Sequence, residues 1–117
     1  QCLGCRARLA ARQVSNVLMA QFDYFRMASG GGFWVDCLTE TMAHFETRFV
    51  VPLLPLPLAP TPAAHLNPIF EVAGARHSLV TQFAGSIGVS ELGSLAGSLG
   101  ADRYRITNAL DFLMTGV

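Results

Sequence analysis

Cys2-x-x-Cys5 is the pattern in this sequence closest to a chemical site, being half of a tetrahedral zinc or dithiol centre. A metal would need two further donors. Cys37 and His44, seven residues apart on one side of an expected helix, are the candidates. No second C-x-x-C follows, and no strand precedes the first pair as a thioredoxin-like dithiol would require, so the cysteines read as unpaired structural thiols. Glu40 and His44 stand at i and i+4, a spacing open to proton transfer but also that of an ordinary solvated helix pair, which is the reading taken. His65 and His77 have no partner that spacing assigns. Gly88-Val89-Ser90-Glu91-Leu92-Gly93 is one residue too long for the G-x-S-x-G elbow, and Gly30 to Gly32 lack the third spaced glycine of a dinucleotide fingerprint. Pro52-x-x-Pro55 has Arg48 one position out of register for a polyproline ligand. No catalytic, metal-binding or cofactor-binding residue is therefore expected, and the chain reads as non-enzymatic.

The composition points to company rather than chemistry. Of 117 residues, 51% are hydrophobic and 14% charged, against a usual charged share of about 25%. So small a domain buries only about two thirds of its unfolded surface, which leaves apolar surface to be covered by something else. Eight basic and eight acidic residues cancel. Without a basic excess, nucleic acid is not an expected partner. All the basic residues are Arg and none is Lys, which removes P-loop and Schiff-base chemistry. Arg6, Arg8 and Arg12 precede the first acid, Asp23, an opening of the kind found in organelle import segments.

Helical spacing recurs along the chain. Ala7, Ala11, Val14, Leu18, Phe22 and Phe25 share one side of a helix over residues 7–27, which Ser29 and Gly30 to Gly32 end with a reversal. Trp34, Leu38, Met42, Phe45 and Phe49 predict a second helix, stopped by Pro52, so that residues 1–50 form a helical hairpin. The six prolines at 52, 55, 57, 60, 62 and 68 make residues 51–68 an extended polyproline-II strap, unfit for a helix or a central strand. Residues 69–117 are expected to hold short helices. The first spans about residues 68–84 and carries Arg76 within its apolar stripe. The next, residues 90–100, sorts Gly93 and Gly97 onto one side as a close-contact face, and the last begins near Asp102 with Ile106, Leu110, Leu113 and Val117 aligned.

Glu71-Val72-Ala73-Gly74-Ala75-Arg76 resembles, over a short stretch, the E-x-x-N/H-x-R segment of light-harvesting chlorophyll proteins, but Gly74 stands where the pigment ligand would be. No membership is assigned. The fold class expected is all-α, with four or five short amphipathic helices. The function expected is that of a non-catalytic accessory subunit of an organellar, membrane-associated complex, the mitochondrial inner membrane being favoured. It would need no cofactor and would dock on other protein subunits, with lipid as a further contact, through Pro52, Leu54, Pro55, Leu56, Leu58, Arg76, Gly93 and Gly97. The alternative is a free-standing helical module that closes around a hydrophobic ligand or pigment.

Overall fold

The apolar run Thr47–Pro55 is a nine-residue strand, and the rest of the molecule is organised around it. Val51 and Leu53 on one face and Val50 and Pro52 on the other are all buried. A strand covered on both sides reads as a continuous hydrophobic stretch without alternation. The computed structural model describes residues 20–42 and 44–116. Within them the chain forms β1 (Asp23–Met27), β2 (Phe33–Asp36), β3 (Thr47–Pro55), β4 (Ile69–Val72), β5 (Ala75–Leu79), β6 (Gly85–Gly88), β7 (Leu92–Ser98) and one α-helix, α1 (Arg103–Thr115). The strands make a curled antiparallel sheet in the order β4-β5-β3-β2-β1-β7, with β6 also paired to β3.

The all-α expectation is thus overturned. The helix expected over residues 7–27 lies mostly outside the described residues, and its last five are β1. The helix expected from Phe33 to Val50 is β2, a 3-10 turn over Glu40–Met42 and the start of β3. The one expected over residues 68–84 is the β4–β5 hairpin, and the glycine-faced one is β7. The reversal at Ser29 to Gly32 is present but joins two strands, with Gly30 at φ 77° and Gly31 at φ 87°. Between β4 and β5, Ala73 (φ 54°) and Gly74 (φ 78°) make a two-residue turn with both residues left-handed, the geometry that matches strand twist. Glu71 and Arg76 consequently face each other across the hairpin.

Pro52 sits inside β3, where a strap had been expected to exclude a strand. The outer edge of β3 changes partner at this point, pairing with β6 up to Val50 and with β5 from Leu53. Backbone N and C=O of one residue point the same way in a strand, and the Pro52 carbonyl accepts from Val80 N at 2.9 Å on that outer edge. The missing N–H therefore faces the gap between two partners and costs no ladder bond. β3 also runs without a break across residue 50.

The core joins Phe22, Val35, Cys37, Val51, Leu53, Phe70, Val72, Leu79, Leu99 and Ile106. The closing helix is where the sequence placed it. It buries Ile106 and Ala109, ends on left-handed Gly116 and leaves Leu113 at the rim. Cys37 is buried, and desolvation, reinforced by the charge of Asp36, pushes its thiol up to about 12. In a Cys2→Ser/Cys5→Ser background, a thiol reagent at pH 8 should find no reactive thiol in the folded protein and one equivalent after unfolding; one native equivalent would show that Cys37 is open.

The glycines of β7 serve close packing within the chain. A Cβ on Gly93 would collide with the backbone carbonyl oxygen of Arg26 and lie 3.1 Å from its carbon, while one on Gly97 would strike the Tyr24 ring. Gly93→Ala is therefore expected to destabilise the fold by about 1–3 kcal/mol through overpacking against rigid backbone, read as a lower urea midpoint. An unchanged midpoint would show that β1 yields.

Candidate functional site

The site starts with how the proline-rich loop is held. Asn67, buried at the end of that loop, donates from its amide to the Leu79 carbonyl at 3.1 Å and to the Gln82 side chain at 2.7 Å, and accepts from Ala63 N at 3.0 Å. The Thr81 hydroxyl donates to the Leu66 carbonyl at 2.8 Å. These bonds fix the loop to the β5–β6 connection and present His65 at φ 70°, a left-handed conformation uncommon for a residue with a side chain.

Helix α1 forms the opposite wall. Arg105, Asn108 and Phe112 follow one another at i, i+3 and i+7 on one helix face. The Arg105 guanidinium donates to the Ile69 carbonyl at 2.6 Å and lies 4.3 Å from the centre of the Phe70 ring, so this long side chain is held in one place against β4. The His65 and Phe112 rings meet at 5.7 Å, tilted by 45°. Together with Pro68 these residues line a cleft of about 430 Å³. Its walls offer an imidazole, a guanidinium and a carboxamide around apolar surface, and none of the five lining residues is acidic. Such a set can stack a flat ring, offset a phosphate charge and move a proton.

The residues singled out from the sequence lie elsewhere, apart from His65. Cys2 and Cys5 fall outside the described residues. Cys37 is in the core, whereas His44 is exposed and packs edge-on against Phe45, so no helix aligns them. Among the described residues no group of three His, Cys, Asp or Glu side chains could hold a metal. Glu40 accepts from Gln21 N at 3.3 Å rather than from His44. His77 is buried, bonded through Nδ1 to the Ala75 carbonyl at 3.0 Å and tilted against Phe33. Of the expected partner-contact residues, Pro52 is buried in β3, Leu54 and Pro55 are half-buried at its end, and Leu56 and Leu58 form a 3-10 turn with Leu58 63% exposed. Arg76 is exposed opposite Glu71, and Gly93 and Gly97 lie against β1. Sequence reasoning missed Arg105, Asn108 and Phe112. Their shared helix face was a usable signal, but the apolar stripe beside it drew the reading.

The CcdB protein family model matches residues 21–116, and the chain belongs to that family. Two solved structures share the fold. One is an endoribonuclease from mycobacterial species with a TM-score of 0.66 at 14% identity, covering 82% of this chain and 90% of that one. The other is an endoribonuclease in complex with its cognate antitoxin, also from mycobacterial species, with a TM-score of 0.57 at 15% identity, covering 82% of this chain and 92% of that one. No curated protein matches the chain.

These findings correct the functional expectations. Family membership replaces the accessory subunit of an organellar membrane complex, and the mitochondrial setting and the subunit and lipid partners go with it. The helical pigment- or ligand-binding module fails because, among the described residues, its expected helices other than the closing one are strands and turns. No helix among the described residues is long and apolar enough to cross a membrane. The exclusion of catalysis and of nucleic acid also gives way, because the fold is one that endoribonucleases carry, in one case bound by an antitoxin. Net charge sums over the molecule and says nothing of one cleft, where Arg105 and His65 lie on opposite walls with no acidic lining residue. Arg103 lies elsewhere, bonded to Gln21 and over the Phe22 ring.

Proposed function

We propose that the chain is the toxin of a toxin–antitoxin pair, restrained by a protein antitoxin, and that it cleaves single-stranded RNA at the cleft between the proline-rich loop and α1. The observation that carries this reading is the cleft itself, in which His65, Arg105 and Asn108 converge on apolar walls without a carboxylate. In the step proposed, the His65 imidazole takes the proton of a ribose 2′-hydroxyl, whose oxygen attacks the adjacent phosphorus. The bond to the 5′-oxygen breaks, and that oxygen takes a proton from the imidazolium. Arg105 offsets the charge that accumulates on the phosphoryl oxygens. The products are a 2′,3′-cyclic phosphate and a 5′-hydroxyl.

The family and the shared fold support the same reading, since one protein of this fold is an endoribonuclease held by its cognate antitoxin. The test is incubation of the purified chain with end-labelled single-stranded RNA. Fragments ending in a cyclic phosphate are expected, and RNA left intact by a preparation that unfolds cooperatively in urea overturns the ribonuclease reading.

A further inference from the structure

We infer that Phe70, a core residue that does not line the cleft, is a positioning residue for RNA binding: its ring and the neighbouring Ile69 carbonyl hold the Arg105 guanidinium preset for a phosphate. This rests on the reading of the cleft as an RNA site. β4 ends the sheet order, and among the described residues its strand partner is β5 alone. The Pro68 carbonyl accepts from Leu79 N at 3.0 Å on the side facing β5, so the next carbonyl, that of Ile69, points out of the sheet. No strand stands there to bond it. Arg105 does so instead, at 2.6 Å. Phe70 follows, 4% exposed and part of the core, with its ring centre 4.3 Å from the guanidinium carbon. A ring packed into the core cannot move away, so the arginine is held against a fixed plane.

What these two contacts leave free is as important as what they hold. Carbonyl and ring are both uncharged, and among the described residues no carboxylate forms an ion pair with Arg105. Its charge is therefore ordered without being cancelled. A guanidinium is a fork of several N–H donors, of which the Ile69 carbonyl takes one. The others remain for a phosphate, whose oxygens suit that fork. A long side chain loose in solvent loses rotamer freedom when it grips a ligand, and one that is already ordered avoids that loss. His65 lines the same cleft, so a phosphate on Arg105 is brought to the imidazole. The core thus reaches the site through Phe70, without itself touching RNA.

The test measures binding apart from cleavage. A fluorescent 2′-O-methyl uridine hexamer cannot undergo attack by its 2′-oxygen, and its anisotropy reports affinity. Arg105→Met should weaken its binding by about tenfold or more, as loss of a charge-assisted contact does. Replacing the ring hydrogens of Phe70 by fluorine keeps the outline of the ring but withdraws negative charge from its face. That exchange should weaken the hexamer by about three- to tenfold, the usual cost of ordering one long side chain on binding. In an Arg105→Met background it should change nothing. Phe70→Leu, which removes the ring, should repeat both results at a lower urea midpoint. An affinity that fluorination leaves unaltered overturns the positioning role. So does a loss of equal size in both backgrounds, which would make Phe70 structural only, and so does a failure of the unaltered chain to bind the hexamer. The expected pattern without cleavage of ordinary RNA would sink the proposed reaction and leave the role of Phe70 standing; cleavage at an undiminished rate by the fluorinated protein would do the reverse.

Discussion

Arg48→Met alone should lower the unfolding free energy by about 3–5 kcal/mol, because it strands a charge where no water can reach it. Arg48 and Asp36 are both 0% exposed, and the guanidinium meets one carboxylate oxygen twice, from Nε at 3.0 Å and from Nη2 at 2.8 Å. Nη1 of Arg48 donates to the Met42 carbonyl at 3.0 Å, and the second Asp36 oxygen accepts from Leu38 N at 3.1 Å. The pair thereby ties β2, β3 and the turn between them into one unit. Burial lifts the Asp36 carboxyl above the usual carboxylate range, while its bonds to Arg48 and to Leu38 oppose the rise. Asp36→Leu should cost a similar amount by leaving the guanidinium unpaired. The double variant Arg48→Met/Asp36→Leu removes both charges and should be more stable than either single one, since an intact buried pair contributes much less than its rupture costs. Urea denaturation of the four proteins closes this cycle. Single variants that unfold at the wild-type midpoint would mean that water reaches the pair.

The second large effect concerns the reaction. His65→Ala should slow cleavage of a single-stranded RNA by about 10²–10⁴-fold, the usual range for loss of a positioned proton acceptor. His65 is exposed and holds no bond that fixes its loop; that task falls to Asn67 and Thr81. The urea midpoint should therefore stay near that of the unaltered chain, which separates loss of chemistry from loss of fold. A variant that cleaves at the original rate would remove His65 from the reaction and suggest that any nuclease in the preparation came from elsewhere.

What could be read from the sequence depended on exposure. α1 has one buried and one solvated face, so Ile106 and its neighbours stand out against Arg105 and Asn108. β2 and β3 do not have this contrast, for Val35 and Val51 are buried on one side and Asp36 and Val50 on the other. Their aromatic residues fall by chance at helical steps, and the period-two signal that marks a strand is missing. In β7, serines and glycines sort tidily on a helical wheel, but small side chains pack as well against a neighbouring strand, as Gly93 and Gly97 do against β1. Pro52 was informative in the wrong direction: the rule that proline avoids central strands assumes a donor is needed, and here the partner strand changes where that donor would have pointed. The cleft was illegible for a different reason. His65 and the Arg105-to-Phe112 face are separated by the whole of β4 to β7, and no motif spacing joins them.

Because one wall of the cleft is the helix Arg103–Thr115, the pocket has no existence in a partly synthesised chain. The sheet can be complete through β7 before α1 has been translated. On the function proposed above, a nascent molecule cannot cleave RNA until this helix has emerged and docked, which gives an antitoxin time to meet it at birth.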